Sequence, residues 1–303
     1  MTDEIAPNPI HNSQLTIQNS KLKTQNPSPY PRATWRLLIT PPLDGATNMA
    51  IDEAILFALA DGRGQPTLRL FQWAPPCLSL GYNQHWQEID EKACRRLGYT
   101  WTRRPTGGKA ILHTDEATYS LIIPQEDPRI HGGIVESYRV LSLGLLRSLE
   151  ILGLPAVQAA DPAEPAGNAT DRGPVCFDTP SRYEITWQGK KLIGSAQLRR
   201  RQIVLQHGSL PLHGNLNRIL EVLTFSDEER ARQRELLPQR AATLAEALGQ
   251  TLPFETVAAA LAQGFAQQLN LELRELPLTD DEQELAAQLR SAQYANDAWL
   301  KRV

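Results

Sequence analysis

The sequence predicts an α/β (α+β) fold in which a mixed sheet is flanked by helices. Two observations support this prediction. Between about residues 34 and 215, short β-rich segments alternate with amphipathic helical patterns. After residue 215 helical patterns dominate, so we expect helices that pack on that core. The chain has 303 residues, of which 41% are hydrophobic and 21% charged, and this composition is typical of a soluble globular protein.

The first third of the chain begins with a polar segment and continues with strands and one helix. Residues 1–33 are rich in Asn, Gln, Ser, Thr and Pro and show no sustained apolar period, so we expect a disordered polar tail. The pattern predicts a strand over 35–39 and a helix over 48–60, with one apolar stripe. Three further strands are predicted over 67–73, 78–81 and 117–123.

The middle of the chain contains an amphipathic helix and a long connection. Residues 135–152 carry apolar side chains at helical spacing, and Gly153 follows as a residue suited to end the helix. Residues 155–181 are rich in Pro, Ala, Gly and Asp, and a connection of this length is usually functional or disordered. Beyond it the pattern predicts a hairpin from 183–187 and 191–193, then a strand over 202–210.

The last third of the chain contains clear helix starts. Two S/T-x-x-E capping boxes, which begin at Ser226 and Thr279, each predict the N-terminus of a helix. An apolar stripe over 257–269 predicts another helix, and 270–276 fits a short strand. The resulting division is a domain over 34–276, with its core over 34–215 and a helical continuation over 216–276, and a C-terminal helical extension over 277–303.

Charge and cysteine content exclude several classes of function. The net charge is -3 and the pI is about 6.1, so no basic field indicates nucleic acid as a partner. Three cysteines without a metal-binding spacing fit a reducing compartment. The N-terminus has neither the basic nor the apolar part of a signal peptide, and no apolar run reaches the eighteen or so residues of a membrane helix. We therefore expect a cytoplasmic protein without a membrane partner.

Cys176 and Lys191 form the first candidate catalytic pair. They are separated by fifteen residues, close to the predicted hairpin. A nearby cation lowers the pKa of a thiol, and the thiolate is the nucleophilic form of cysteine. The alternative is a small buried core residue, because free cysteine is among the most frequently buried residue types. The residues alone leave both interpretations open.

A glycine-containing loop is the second candidate site. Gly107 and Gly108 allow backbone amides to approach a ligand closely and to form an anion-binding nest, while Arg104 and Lys109 add positive charge. The loop lacks the spacing of a Walker A motif. Taken alone, paired glycines between strands also fit a tight hairpin turn.

Two histidines are candidates for acid–base or binding roles. His113 follows the glycine loop, and His207 lies beside Gly208 and Ser209, which permit close approach of a ligand. A single histidine is more often a hydrogen-bonded structural residue. The residues alone therefore give neither histidine a specific role.

Five motifs, in the same order along the chain, resemble the biotin/lipoate protein ligase and octanoyltransferase superfamily. They extend from about residue 48 to 212. The resemblance implies a mainly antiparallel sheet flanked by helices, as in class II aminoacyl-tRNA synthetases, and a catalytic domain over 34–276. The motifs are the opening helix 48–54, the strand pair 71–84, the loop 103–108 with His113, the lysine strand 191–197 and the closing segment 206–209.

Two departures from the ligase pattern indicate the branch. Lipoate ligases typically have a third glycine where this chain has Lys109, and an aspartate where it has Thr114. Together with Cys176, these positions are closer to the cysteine-dependent octanoyltransferases. The resemblance then implies that Cys176 carries the acyl chain as a thioester and that Lys191 activates it. It implies substrate-binding roles for Arg104, Thr106, Gly107, Gly108, Lys109, His113, Gly194, Ser195, Ala196, Gln197, His207, Gly208 and Ser209.

The same resemblance implies partners and cofactors. The octanoyl group would move from octanoyl-acyl carrier protein to a lysine of a lipoyl domain or of the glycine-cleavage H protein, in lipoate biosynthesis. This chemistry runs from thioester to thioester to amide, so we expect no ATP, metal or organic cofactor. The basic triplet 199–201 is a candidate surface for an acidic carrier.

Two alternatives remain from the sequence. One is an ATP-dependent lipoate–protein ligase, in which the glycine loop binds an acyl-adenylate phosphate, Lys191 contacts the adenylate and Cys176 is incidental. The other is a non-catalytic acyl-carrier-binding protein with the same fold. A biotin ligase is a weaker match, because its usual Gly-Arg-Gly-type loop is missing here.

Overall fold

A computed structural model of the protein describes residues 28–155, 157–159 and 185–303. Cys176 and most of the long connection predicted over 155–181 lie outside the described residues. The described strands are β1 (Ala33–Ile39), β2 (Thr67–Phe71), β3 (Cys77–Leu80), β4 (Thr100–Arg103), β5 (Ile111–His113), β6 (Glu116–Pro124), β7 (Val157–Ala159), β8 (Ile185–Trp187), β9 (Lys190–Arg200), β10 (Ile203–Pro211) and β11 (Leu271–Glu275).

Helices lie on both faces of the sheet and at its end. Their starts agree with the predicted capping signals, since Ser226 and Thr279 each accept a hydrogen bond from the backbone N–H three residues later. The described helices are α1 (Gly45–Ala60), α2 (Glu91–Arg96), α3 (Ile134–Ile151), α4 (Asp227–Arg240), α5 (Leu244–Leu248), α6 (Phe254–Leu269), α7 (Asp280–Leu289) and α8 (Asp297–Leu300).

The predicted mixed, mainly antiparallel sheet is confirmed. Within the described residues, eight strands form the main sheet in the order β11-β1-β2-β6-β10-β9-β8-β7. β1 pairs in parallel with β11 and β2, and all the other neighbours in this sheet are antiparallel. A smaller sheet has the order β4-β3-β5. The strands β4 and β5, which flank the glycine loop, therefore belong to a different sheet from the strands β9 and β10, which carry Lys191 and His207.

One face of the main sheet packs against α3 and α6. Leu145 and Leu149 of α3 and Phe265 of α6 join Leu121 of β6 in one buried cluster. Burying a side chain of this size contributes roughly 1.5–3 kcal/mol. The helices approach closely, because a methyl group at Gly144 of α3 would overlap the Phe265 ring. This layer forms the larger core.

The opposite face packs against α1, which is buried on most of its surface. Met49 and Ile55 join Leu205 of β10 in a second cluster, which includes residues from α7. The helix begins at Gly45, three residues before the predicted start, because the Asp44 side chain accepts a hydrogen bond from the Thr47 N–H at 3.0 Å. α1 also buries polar side chains, and these extend into the candidate site.

Both ends of the described chain contact the rest of the fold. Tyr30, placed in the polar tail by its composition, packs on the larger core, and its carbonyl accepts a hydrogen bond from Asn270 at 2.9 Å. At the other end, the Leu300 carbonyl accepts from Arg103, which lies directly before the glycine loop. The C-terminal residues therefore contact the base of that loop.

Candidate active site

The glycine loop, residues 104–109, lies over the small sheet, and backbone hydrogen bonds to residues 80 and 82 hold it there. The Tyr82 N–H donates to the Thr106 carbonyl at 2.9 Å, and the Arg104 N–H donates to the Leu80 carbonyl at 3.0 Å. Gly108 has a φ of 96°, in the region that favours glycine. A methyl group at Gly81 would overlap the Gly108 carbonyl oxygen, so the two backbones touch at this point. Gly107, Gly108 and Lys109 are exposed.

The Arg104 side chain points into the loop and not toward its outer surface. It is buried, and its guanidinium donates to the Gly107 carbonyl at 2.8 Å, the Lys109 carbonyl at 2.7 Å and the Ser79 carbonyl at 3.0 Å. Backbone carbonyls of the turn and of β3 occupy these donors. Arg104 therefore fixes the shape of the loop, and of the two predicted cations only Lys109 is exposed.

His113 is fixed at the end of β5 by polar and aromatic contacts. Its Nδ1 lies 2.7 Å from Glu116 Oε1, and its Nε2 lies 2.8 Å from Ser79 Oγ. The ring stacks on Trp73 with centroids 3.9 Å apart. Ser79 Oγ also accepts from Arg104 at 3.2 Å. His113 thus links a buried carboxylate to the arginine that holds the loop.

His207 is fixed on β10 from the other side of the loop. Its Nε2 lies 2.6 Å from Thr106 Oγ1, and its Nδ1 lies 3.5 Å from Asp52 Oδ2 on α1. Asp52 is fully buried, accepts from Arg69 at 2.8 Å and from Ser120 at 2.6 Å, and so joins α1, β2 and β6. The predicted residues Thr106 and His207 are therefore in direct contact.

Electrostatics keep the two buried carboxyl groups ionised. Burial alone would raise the pKa of the Asp52 carboxyl. The Arg69 charge and hydrogen bonds from His207 and Ser120 nevertheless hold this pKa below its ordinary value. Burial likewise opposes ionisation of Glu116, and its contacts with His113 and two hydroxyl groups still lower its pKa. Both groups therefore act as hydrogen-bond acceptors.

Lys191 is fully buried at the start of β9. Its backbone carbonyl accepts from the Ala242 N–H at 3.0 Å, so the strand is fastened to the segment that follows α4. Its neighbour Lys190 differs, since it forms a surface ion pair with Glu246 at 2.7 Å. A lysine buried this completely is rare unless it is paired or functional. Because Cys176 lies outside the described residues, the Cys176–Lys191 pair stays a prediction.

One group of predicted residues on β9 and β10 lies on the face of the sheet that packs against α3. The Ser195 hydroxyl pairs with Tyr119 Oη at 2.7 Å, and Gln197 hydrogen-bonds to Ser137 of α3 at 3.1 Å. A methyl group at Gly208 would lie 2.5 Å from the Tyr119 ring, so this glycine makes room for the tyrosine. These side chains form a cluster of hydroxyl and amide groups.

The other group lies on the α1 face. Ser209 donates to Glu116, and the strand register places Ala196 opposite His207 and Gly194 opposite Ser209. Side chains alternate across a strand, so a ligand bound to one face cannot contact both groups directly. The residue set implied by the resemblance therefore combines two surfaces of the sheet.

Several buried polar residues at the site were missed by sequence reasoning. Asp52, Glu116, Ser79 and Arg69 were not among the predicted site residues, and all four are buried. A signal was present, because the adjacent carboxylates Asp52 and Glu53 lie within a mainly apolar helical pattern and Arg69 interrupts a predicted strand. Ionised side chains are rarely fully buried without a partner.

The other two cysteines, Cys77 and Cys94, are buried free thiols. Cys77 is fully buried in β3, and burial raises the pKa of its thiol to about 12. Cys94 is buried in α2, where burial and the nearby carboxylates raise the pKa of its thiol to about 11. Neither thiol is a thiolate at neutral pH.

Solved structures give the class of protein to which this fold belongs. A bi-partite lipoate protein ligase from Thermoplasma acidophilum superposes with a TM-score of 0.74 at 24% identity, over 88% of this chain and 96% of that one. A lipoate-protein ligase A bound with ATP gives a TM-score of 0.73 at 24% identity, over 89% and 99%. The fold is that of the lipoate ligase class of catalytic domains, as the resemblance implied.

Sequence comparison gives the family. The model of the lipoyl protein ligase A/B catalytic domain matches residues 44–266, and the chain belongs to this family. The octanoyltransferase LipM of Kyrpidia tusciae is 44% identical over 88% of this chain and 98% of its own length. The enzyme of the same name from Moorella thermoacetica is 42% identical over 90% and 99%. The predicted superfamily is thereby confirmed.

No helix in residues 28–155 or 185–303 is long and apolar enough to cross a bilayer. In the same part of the chain, no three His, Cys, Asp or Glu side chains are grouped so that they could hold a metal ion.

His207 should make the stability of the protein depend on pH. Burial lowers the pKa of His207 below its usual 6.5, against the opposing effect of Asp52. The unfolded chain therefore binds a proton that the folded chain does not, and the free energy of unfolding should fall as the pH drops below about 6.5. His207→Gln should reduce this slope between about pH 6.5 and 5 by up to ~1.4 kcal/mol per pH unit, measured by urea unfolding.

The pH range in which Asp52 affects the stability is separate from the pH range of His207. The folded pKa of Asp52 is below 3.8, so the stability it contributes is present above that value and is lost only at lower pH. An identical slope in wild type and His207→Gln between about pH 6.5 and 5 would contradict the assignment of that slope to His207.

Proposed function

We propose that the protein moves an octanoyl group from the thioester of acyl carrier protein to a lysine of a lipoyl-accepting protein, through a thioester on Cys176. The observation that supports this proposal most directly is the fully buried Lys191, at the position where the resemblance places the family's lysine. The octanoyltransferases that are 42–44% identical over almost their whole length support the same reaction.

The first half of the reaction forms the acyl-enzyme. The Cys176 thiolate attacks the thioester carbonyl, and a carbon–sulfur bond to Cys176 forms as the bond to the carrier's thiol breaks. The carrier leaves as a thiol, with a proton from the Lys191 ammonium. The products are octanoyl-Cys176 and neutral Lys191.

The second half returns the enzyme to its starting state. The acceptor's lysine attacks the octanoyl-Cys176 carbonyl as a neutral amine, and Lys191 takes the proton that the nitrogen loses. The amide bond forms as the Cys176 sulfur leaves as a thiolate. Atoms and charges balance without ATP or a metal ion, and we propose that neither is required. The kinetics are of the ping-pong type.

An intact-mass experiment tests this function. The purified protein is mixed with octanoyl-acyl carrier protein in the absence of ATP, and its mass is measured before and after hydroxylamine. We expect a hydroxylamine-labile octanoyl adduct in the wild type and in Cys94→Ala, because Cys94 is a buried thiol of α2. The adduct should be missing in Cys176→Ala.

Three results would overturn the proposal. An adduct that persists in Cys176→Ala would exclude Cys176 as the acyl carrier. ATP-dependent lipoylation that survives Cys176→Ala, without an adduct in the wild type, would indicate the ligase reaction. Complex formation with the carrier but no acyl movement in either assay would indicate a binding protein.

A further inference from the structure

A buried carboxylate on α1 reaches the glycine loop through a histidine. Asp52, His207 and Thr106 come from three separate parts of the chain and lie in a row, with 3.5 Å between Asp52 Oδ2 and His207 Nδ1 and 2.6 Å between His207 Nε2 and Thr106 Oγ1. All three are at most 6% exposed. Such a row is costly to bury unless every polar atom is satisfied.

The direction of each hydrogen in this row follows from the Asp52 carboxylate. An ionised carboxylate only accepts hydrogen bonds, so His207 carries its hydrogen on Nδ1. Burial keeps the ring neutral, and its Nε2 is therefore an acceptor. The Thr106 hydroxyl must then donate to Nε2. The carboxylate thus sets the orientation of a hydroxyl on the loop, through the tautomer of the histidine.

The Thr106 contact matters because the next residue has no packing of its own. A methyl group at Gly107 would meet no atom within 4 Å, so side-chain packing does not restrain the turn there. The turn is restrained on its two sides, by the Thr106 hydroxyl and by Arg104, which binds the Gly107 and Lys109 carbonyls. Loss of either restraint leaves a glycine free to rotate.

The restraints also set the direction of a backbone donor. The Gly107 carbonyl points toward Arg104, and in a planar trans peptide the N–H of the next residue points the opposite way. The Gly108 N–H is therefore turned away from the arginine, in a residue that is exposed. A fixed backbone N–H of this kind is suited to stabilise the oxyanion of a thioester addition intermediate.

We propose that Asp52 is a positioning residue, which acts through His207 and Thr106 to hold the Gly107–Gly108 turn so that the Gly108 N–H faces the reacting acyl carbonyl. This inference rests on the proposed octanoyl transfer for its chemistry. The orientation of the imidazole and the hydroxyl is a property of the folded protein alone, and it can be measured without any substrate.

The central variant is Asp52→Asn. Asp52 Oδ1 accepts from Arg69 at 2.8 Å, so the amide oxygen will stay at the guanidinium and the NH₂ group will face His207. That group donates to Nδ1 and forces the hydrogen of the ring onto Nε2. The Thr106 hydroxyl can then no longer donate to the histidine. We expect ¹⁵N spectra of the histidine side chains to show Nδ1–H in the wild type and Nε2–H in the variant for His207.

The expected kinetic effect falls on the chemical step. Octanoyl loading from octanoyl-acyl carrier protein should slow by roughly 10- to 100-fold in kcat, with little change in KM for the carrier, since the loop geometry and not the docking is altered. Thr106→Val should give the same loss, because it removes the hydroxyl but keeps Asp52 and Arg69 paired. Thr106→Ser should restore the rate.

Glu53→Gln is the matched control. Glu53 is the next residue of α1, is fully buried, and bonds to Tyr294 and Arg200 rather than to the loop. The same change of carboxylate to amide should therefore leave loading near the wild-type rate. In the double variant Asp52→Asn/Thr106→Val, the loss should be no larger than that of the more impaired single variant.

The results that would overturn the positioning role of Asp52 differ from those that would overturn the proposed octanoyl transfer. An unchanged His207 tautomer in Asp52→Asn, full activity in Thr106→Val, or an equal loss in Glu53→Gln would each overturn the positioning role. If the wild type forms no adduct on Cys176, the proposed function fails, and the tautomer spectra alone then decide whether Asp52 orients the loop.

Discussion

Lys191→Met is expected to slow octanoyl transfer by roughly 100- to 10,000-fold, the range that a positioned acid–base group contributes. Methionine keeps most of the volume and the apolar stem of lysine in a position with no exposure to solvent, so packing around β9 is retained. The variant loses the amine that gives a proton to the leaving thiol of the carrier and takes a proton from the attacking lysine of the acceptor. Single-turnover intact-mass measurements should show slow formation of the Cys176 adduct and slow release of its octanoyl group to the acceptor.

Lys190→Met is the control for this prediction. The two lysines are adjacent on β9, but the side chain of Lys190 is 27% exposed and pairs with Glu246 at the surface. An exposed ion pair contributes about 0–1 kcal/mol, so the variant should fold and transfer octanoyl groups normally. Equal activity losses in both variants would show that the strand is sensitive to any change, and an active Lys191→Met would exclude the lysine from proton transfer.

The order of elements was accessible from the sequence because each element carries its own local signal. Ser226 and Thr279 begin helices as their capping patterns predict, and the turn at Gly189 joins the expected hairpin. The start of α1 was missed by three residues, since the Asp44 cap precedes the first apolar position of the stripe. Local signals predict local structure well when the cap is recognised.

The hydrogen bonds between side chains of the site could not be predicted from the sequence in the same way. Thr106 and His207 are 101 residues apart in sequence, and nothing in either segment indicates that the two side chains meet. The direction of the Arg104 side chain could not be predicted either, because a sequence gives the charge of a guanidinium but not the acceptors it faces. Such contacts depend on how β4, β6 and β10 are placed by the sheets, and that placement follows from tertiary packing.

Gly81→Ala is expected to have the largest effect of any single methyl group at the site. The added methyl would overlap the Gly108 carbonyl oxygen; the backbone fixes the position of a Cβ atom, and the oxygen is itself a backbone atom, so neither can rotate away. The loop or β3 must therefore shift, at a cost of about 1–3 kcal/mol in the free energy of unfolding. A shift of about 1 Å in the turn can slow the chemical step by roughly 100-fold.

Gly107→Ala is the structural comparison for Gly81→Ala. A methyl group there meets no atom within 4 Å, so the melting temperature should match that of the wild type. Thermal unfolding followed by circular dichroism, together with octanoyl loading measured by intact mass, separates the two effects. Wild-type loading and stability in Gly81→Ala would mean that the turn adjusts without cost, and would contradict a loop whose position is fixed by contact with the Gly81 backbone.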